Sequence, residues 1–290
     1  MLDTKIYTFL KVAELKNFTK AAEELGLTQP AVSQHIAKLE DYYQQKLIQT
    51  QNKKVILTDA GLLMYNYAKQ QVNNEHQLIQ QFQNIKTKLH IGATLSIADY
   101  YLPQIMSEYL KQNAIELEIT VNNTASLLKQ MIDGKLDAAF IEGMFDHHQF
   151  DCMKYYTEDF YPVVSMNHPL VHQTVSIEDL FDYPLILREK GSGTRHILDT
   201  YLFQQNYSSE NFQYVYEFGS FVMIKELLMK SNAISFMYSR VAKKEVDEGK
   251  LAFLDIQDYD LKHSFYFVYP KNILLKKQIV DFYNAIEKGR

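Results

Sequence analysis

The sequence has no tryptophan, a single cysteine (Cys152) and only four arginines, Arg188, Arg195, Arg240 and Arg290, in 290 residues. One cysteine excludes an internal disulfide framework and leaves Cys152 a structural thiol. With no arginine before position 188, the N-terminal part can offer no guanidinium group to a partner. No apolar run approaches the ~18 residues of a membrane-crossing helix. The N-terminus MLDTKIYTFLKVAELKNF carries acids among its apolar residues and has no small-residue cleavage site, so the sequence predicts a cytoplasmic protein with no membrane partner. No nucleophile elbow, phosphate-binding loop or paired-carboxylate motif is present, so enzymatic chemistry is not expected. His147 and His148 lie near Cys152, but adjacent histidines point in different directions and no second pair is nearby; neither a metal nor a cofactor is expected.

What is present suffices for about two domains, since 47% of the residues are hydrophobic. The net charge is −5, yet residues 1–60 hold eight lysines against seven acids, so this segment is close to neutral and the negative charge lies downstream. In residues 4–14, Ile6, Phe9, Leu10 and Ala13 form one stripe of an amphipathic helix. Thr19 is expected to cap a second helix through Ala21, Ala22 and Leu25, which Gly26 ends in a left-handed conformation. Thr28 then caps a third helix with Pro30 in its first turn, where a missing N–H costs nothing.

On that third helix Val32, Ile36, Leu39 and Tyr43 are spaced to face a core, which leaves Gln29, Ser33, Gln34 and Lys38 on the opposite side. Glutamine can pair with adenine through two hydrogen bonds, serine with several bases, and lysine with guanine or phosphate. The NKKVILTDAG run that follows reads as the basic tip and strand of a wing, with Lys53 and Lys54 on backbone phosphates. Thr19 and Pro30 complete the expected DNA-facing set. The expected target is double-stranded DNA.

The pattern F18-T-K-A-A-x-x-L25, T28-Q-P-A-V-S-Q-x-I36-x-x-L39-E40 and L57-T-D-A-G61 resembles the signature of LysR-type transcriptional regulators. Such regulators usually carry a Gly-x-x-Leu-Phe-x-Arg segment before the wing. Here Gln45–Thr50 lacks that glycine, aromatic and arginine, which removes one phosphate contact that the resemblance would supply.

From Thr58 to about Lys86 no proline occurs, and Tyr65, Ala68, Val72, Glu75, Ile79 and Phe82 alternate +3 and +4. This heptad-like seam predicts a helix over residues 58–88 that pairs with a second protomer, with the polar residues 86–88 as a hinge. A homodimer or homotetramer would then read an interrupted inverted repeat, and the resemblance adds RNA polymerase as a partner.

Residues 89–290 alternate strands and helices, the mark of parallel sheets built from βαβ crossovers. Such sheets bind ligands at the carboxyl ends of their strands, which here offer Thr94, Ser96, Asn123, Thr124 and Glu142 with Gly143. A second lobe contains PLILREKGSGTR, a strand running into a glycine-rich turn and a helix. Arg188, Ser192, Gly193, Thr194 and Arg195 there could clamp a small oxyanion, and Ser220 could line the same cleft.

The order resembles the two-lobe, periplasmic-binding-protein-like (type 2) effector domain of LysR-type regulators. Within them, F140-I-E-G143, R188-E-x-G-S-G-T-R195 and E217-F-G-S220 are similar to a branch linked to sulfur assimilation and cysteine synthesis. The expected fold class is thus α/β, with a winged helix-turn-helix over 1–60, a linker helix over 58–88 and an effector domain over 89–290. Its first lobe spans about 89–161 and 265–290, its second about 162–264. The expected function is sequence-specific regulation of transcription by a small anionic metabolite. The alternatives are a cytoplasmic solute-binding protein and an α/β enzyme with an accessory helical domain.

Overall fold

A computed structural model describes residues 2–51, 54–83, 88–112 and 116–288. Lys53 of the expected wing tip and the expected hinge residues Lys86 and Thr87 lie outside the described residues. Two compact units result, one formed mainly by residues up to 83 and the other mainly by residues from 88 on.

In the first unit, α1 (Thr4–Leu15), α2 (Phe18–Leu25) and α3 (Gln29–Tyr43) pack around Phe9, Val12, Ala22, Val32, Ile36 and Leu39. The small Ala21 and Ala22 let α2 approach α1 and α3 closely, and both are buried. The N-cap of α2 is Asn17, whose side chain accepts from the Lys20 amide, and not the expected Thr19, which is exposed. Asn17 has the extended backbone that a cap requires, whereas Thr19 is already inside the helix. Gly26 at φ 65° ends α2, and Thr28 caps α3 by accepting from Ala31. The expected core face of α3 holds for Val32, Ile36 and Leu39 but not for Tyr43, which is 43% exposed. Gln44 turns left-handed directly after it, so the last turn of α3 runs out past the core.

The wing is a two-stranded antiparallel ribbon of β1 (Ile48–Gln51) and β2 (Lys54–Leu57), with Gln51 opposite Lys54. Thr58 then caps α4 (Asp59–Phe82) and donates to the Lys46 carbonyl, which anchors the start of the helix to the base of the wing. The expected seam of α4 divides. Ala68 is fully buried, and Met64, one turn earlier, joins the core around Phe9 and Val32. Glu75 accepts from the Tyr7 hydroxyl at 2.6 Å and the Leu2 amide at 3.0 Å, so these positions serve the helix's own unit. The apolar side chains left exposed are Leu62, Leu63, Tyr67, Leu78, Ile79 and Phe82.

The second unit opens with β3 (Lys88–Ala93), α5 (Leu95–Tyr100), α6 (Leu102–Gln112), β4 (Glu116–Val121), α7 (Thr124–Ile132) and β5 (Ala138–Ile141). The long β6 (Phe150–Ser165) leads through β7 (Thr174–Val175) to β8 (Leu185–Leu187), α8 (Gly193–Gln204), β9 (Val215–Glu217) and α9 (Phe221–Leu228). Then follow β10 (Ile234–Tyr238), α10 (Ser239–Asp247), β11 (Leu251–Phe253), β12 (Asp255–Ile256), β13 (Lys262–Pro270) and α11 (Lys276–Lys288).

Strand order is β4-β3-β5-β13-β6-β10-β8-β9. The expected parallel pairing holds for β3 with β4 and β5, and for β8 with β9 and β10. The exceptions are β6 and β13, which run antiparallel to each other and to their other neighbours. One half of β6 pairs with β13 and the other with β10, the change falling at Asp159 and Phe160. There the chain passes from the first lobe to the second, and β13 brings it back. No helix among the described residues is long and apolar enough to cross a membrane.

Candidate functional site

Two constellations carry chemistry, one in each unit. On α3, Gln29, Pro30, Gln34 and Lys38 are exposed and Ser33 is half-buried. Gln29 Nε2 donates to Ser33 Oγ at 3.0 Å, one turn apart, so amide and hydroxyl form a joint polar patch. His35 turns inward instead, its Nδ1 2.9 Å from the buried Thr8 hydroxyl of α1, which fixes the roll of α3 about its axis. Lys54 is exposed at the start of β2.

Glu40 is a positioning residue that the sequence did not single out. Its Oε1 accepts from the Leu47 and Ile48 amides at 3.0 and 3.1 Å, and its Oε2 accepts from Lys46 Nζ at 2.6 Å, joining the end of α3 to the first wing strand. Partial burial alone would raise the Glu40 carboxyl, but Lys46 and the two amides outweigh it and hold it below its ordinary value. Only its place at the end of the L39-E40 motif hinted at such a role.

In the second unit a cleft of about 440 Å³ lies between the end of β5 with the start of α7 on one side and the glycine-rich turn with α8 on the other. Of the expected residues, Thr124, Ser192, Gly193 and Arg195 line it, together with Lys190 and His196. The buried Thr94, Ser96, Glu142, Arg188 and Thr194 do not reach its open wall. They converge nonetheless. Ser96 Oγ and Thr194 Oγ1 both donate to Glu142 Oε1, at 3.0 and 3.1 Å, and the two hydroxyls are 3.5 Å apart.

The lobes touch closely here because the turn has no side chain in the way. A Cβ built on Gly193 would lie 2.5 Å from Glu142 Cγ and 3.0 Å from the Gly143 amide nitrogen. Gly191, at φ 89°, supplies the left-handed bend that brings Gly193 down.

Several buried polar atoms in this region have no hydrogen-bonding partner: Thr94 Oγ1, Thr124 Oγ1, Glu142 Oε2, Arg188 Nη1 and the Tyr238 hydroxyl. Native interiors seldom leave such atoms unpaired, and here five fall in one region. Burial pushes the Glu142 carboxyl up to about 7, although the Ser96 and Thr194 hydroxyls and Arg188 pull the other way. Burial, with the Glu142 charge beside it, pushes the Tyr238 phenol well above its ordinary value.

The remaining expected residues are occupied elsewhere. Arg188 lies 4.3 Å above the Phe221 ring, and its Nε and Nη2 are clamped by Glu189 at 2.9 and 3.0 Å. Arg195 is tied to Asp199, Glu217 and the Arg188 carbonyl. Asn123 caps α7 by accepting from the Ser126 amide, and Ser220 caps α9 by accepting from Met223. His147 and His148 are exposed, and no cluster of His, Cys, Asp and Glu among the described residues is arranged to hold a metal ion.

Two family models match the chain: the bacterial regulatory helix-turn-helix protein, lysR family, over residues 4–62, and the LysR substrate binding domain over residues 83–289. Among curated relatives, the HTH-type transcriptional regulator CysL of Bacillus subtilis is 28% identical over 268 residues, spanning 90% of this chain and 89% of that one. Among solved structures, ArgP from Mycobacterium tuberculosis superposes with a TM-score of 0.72 at 16% identity, covering 100% of this chain and 98% of that chain. The Synechocystis CcmR regulatory domain, solved in complex with 2-PG, covers 69% of this chain and 97% of its own at a TM-score of 0.59 and 22% identity. The full-length matches share the helix-turn-helix head and the two-lobe domain described above, and the chain belongs to the LysR family of DNA-binding transcriptional regulators, which are not enzymes.

Proposed function

We propose that this regulator reads an interrupted inverted repeat in double-stranded DNA with α3 and responds to a small oxyanion held between its two α/β lobes. The observation that carries the first half is the capped, rigidly anchored α3 with Gln29, Ser33, Gln34 and Lys38 on its uncovered side. The cluster of unpartnered hydroxyl and guanidinium atoms beside a glycine-rich turn supports the second. The domains fall at 1–60, 58–88 and 89–290, and the exposed apolar side chains of α4 serve the contact with a second protomer.

A link to sulfur and cysteine metabolism rests on the R188-E-x-G-S-G-T-R195 turn with F140-I-E-G143, and the similarity to CysL supports it. Acting on DNA, the protein works in the cytoplasm, with RNA polymerase as its further partner.

The test is a binding comparison on operator and random DNA. Gln29→Ala and Ser33→Ala are each expected to lower discrimination by roughly 1–3 kcal/mol, the worth of a good hydrogen-bonded pairing with a base edge. Lys54→Ala is expected to weaken both equally and to reduce the salt slope by about one. Equal losses on both DNAs for Gln29 and Ser33 would reject them as readers.

A further inference from the structure

The two open walls of the cleft differ in kind. On the first-lobe side, Ala125 and Leu128 of α7 and Met144 after β5 present carbon and sulfur only. Leu128 stands one turn along α7 from Thr124, so both face the same way. These apolar side chains are accessible: Ala125 is exposed, Leu128 half-buried and Met144 72% exposed. On the second-lobe side stand all the ionisable lining groups, Lys190, Arg195, His196 and Asp199. Arg195 is already held by Asp199 and Glu217. That leaves the exposed Lys190 ammonium as the lining cation with no acid partner among the described residues.

The walls meet at three places around the opening. Gly193 presses on Glu142, as described above. A Cβ built on Gly191 would lie 3.4 Å from Asn123 Nδ2 and 3.5 Å from Ala125 Cβ. His196 Nε2 lies 2.8 Å from Met144 Sδ. The 440 Å³ between them is several times the volume of a tetrahedral inorganic oxyanion and falls within the roughly 300–1,000 Å³ of sites for organic small molecules. An inorganic ion at Lys190 would touch the charged wall and leave the apolar wall to water.

We propose that the cleft selects an organic acid: an oxyanion head on the Lys190 side of the glycine-rich turn, and a short apolar arm laid on Ala125, Leu128 and Met144. This inference rests on the cleft being the oxyanion site proposed above, and it names the ligand class that the site takes. The head supplies the charge, and the arm supplies the affinity that an exposed ion pair alone does not give.

The experiment titrates the full chain by thermal shift with sodium sulfate and with sodium acetate, propanoate, butanoate and pentanoate at constant ionic strength. Affinity is expected to rise about fourfold for each methylene from acetate to butanoate, the worth of burying one such group. Sulfate is expected to bind more weakly than butanoate. Leu128→Ser should cut the gain per methylene to less than twofold while leaving acetate unchanged. Lys190→Ala should weaken every carboxylate by the same factor, about two- to fivefold for an exposed ion pair.

Should Leu128→Ser not fold, Met144→Ser, at an exposed position outside helix and strand, tests the same wall. An affinity that does not change with chain length, or sulfate bound more tightly than butanoate, overturns the apolar arm and leaves the oxyanion cleft standing. A chain-length gain that survives intact in both wall variants overturns the placing of the arm. No shift from any probe overturns the oxyanion cleft along with the arm.

Discussion

Gly61 has no room for a side chain: a Cβ built there would lie 1.9 Å from the Leu47 carbonyl oxygen, which also accepts from the Thr58 amide. Leu47 opens the wing and Gly61 lies in the first turn of α4, so the glycine lets helix and wing base share one backbone contact. Relief would have to come from backbone, since Leu47 is 2% exposed and held in the core. Gly61→Ala is therefore expected to cost at least the ~1–3 kcal/mol typical of overpacking. Chemical denaturation of the variant against wild type checks it, and an unchanged midpoint would contradict the contact. The glycine itself was visible in L57-T-D-A-G61, but the partner that forbids a side chain is 14 positions away and gave no sign in sequence. The same holds for Ser96, Glu142 and Thr194, each singled out separately, whose meeting on one carboxylate depends on two lobes closing.

Among the elements, α3 was legible because capping is local: Thr28, Pro30 and Gly26 act within a few residues of where they stand. The linker helix was legible as a helix but not in its facing. An apolar stripe says that something covers it, not whether the cover is the same chain or another, and here Met64 and Ala68 turned inward while Glu75 found Tyr7.

Of the six apolar residues that remain outside, Leu63, Tyr67, Leu78 and Phe82 fall near one line along the helix and are 73%, 50%, 38% and 77% exposed. Apolar area of this extent along one helix is what a partner helix covers. A Tyr67→Glu, Phe82→Glu double variant is expected to shift the protein toward monomers in sedimentation velocity without loss of helix content by circular dichroism. An unchanged sedimentation coefficient would move the protomer contact off this face. Loss of pairing should also weaken operator binding by orders of magnitude, because two linked heads gain from effective concentration and one head does not.

At the scale of the whole molecule, the two lobes of the second unit are joined by more than chain connectivity. Glu158 on β6 is nearly buried and accepts from Tyr101 of the first lobe at 2.7 Å and from Ser239, at the start of α10 in the second, at 2.6 Å. Arg240 lies 5.0 Å from the Tyr101 ring and donates to Gln104, adding a second tie at the same level. Removing the carboxylate strands the buried Tyr101 hydroxyl and takes the acceptor from the half-buried Ser239 hydroxyl. Glu158→Ala is therefore expected to lose about 2–4 kcal/mol, roughly 1–3 kcal/mol for the buried Tyr101 hydroxyl and about 1 kcal/mol for the half-buried Ser239. Tyr101→Phe should lose less, and the double variant no more than Glu158→Ala alone, because both act on one bond. Urea denaturation of the four proteins decides it, and simple additivity would show that Tyr101 and Glu158 stabilise the domain independently.

The passage of β6 and β13 from one lobe to the other gives this tie its setting. Phe160 donates its amide to Leu261, so the outgoing and returning strands are bonded to each other where the lobes meet. A body hung on two adjoining, hydrogen-bonded ribbons has little freedom to slide or swivel; it can bend across the pair and little else. Ligands of different size would then stop the second lobe at different points along the same arc rather than send it in different directions. A ligand acting through this joint would be read by its size, as one bend angle between the lobes.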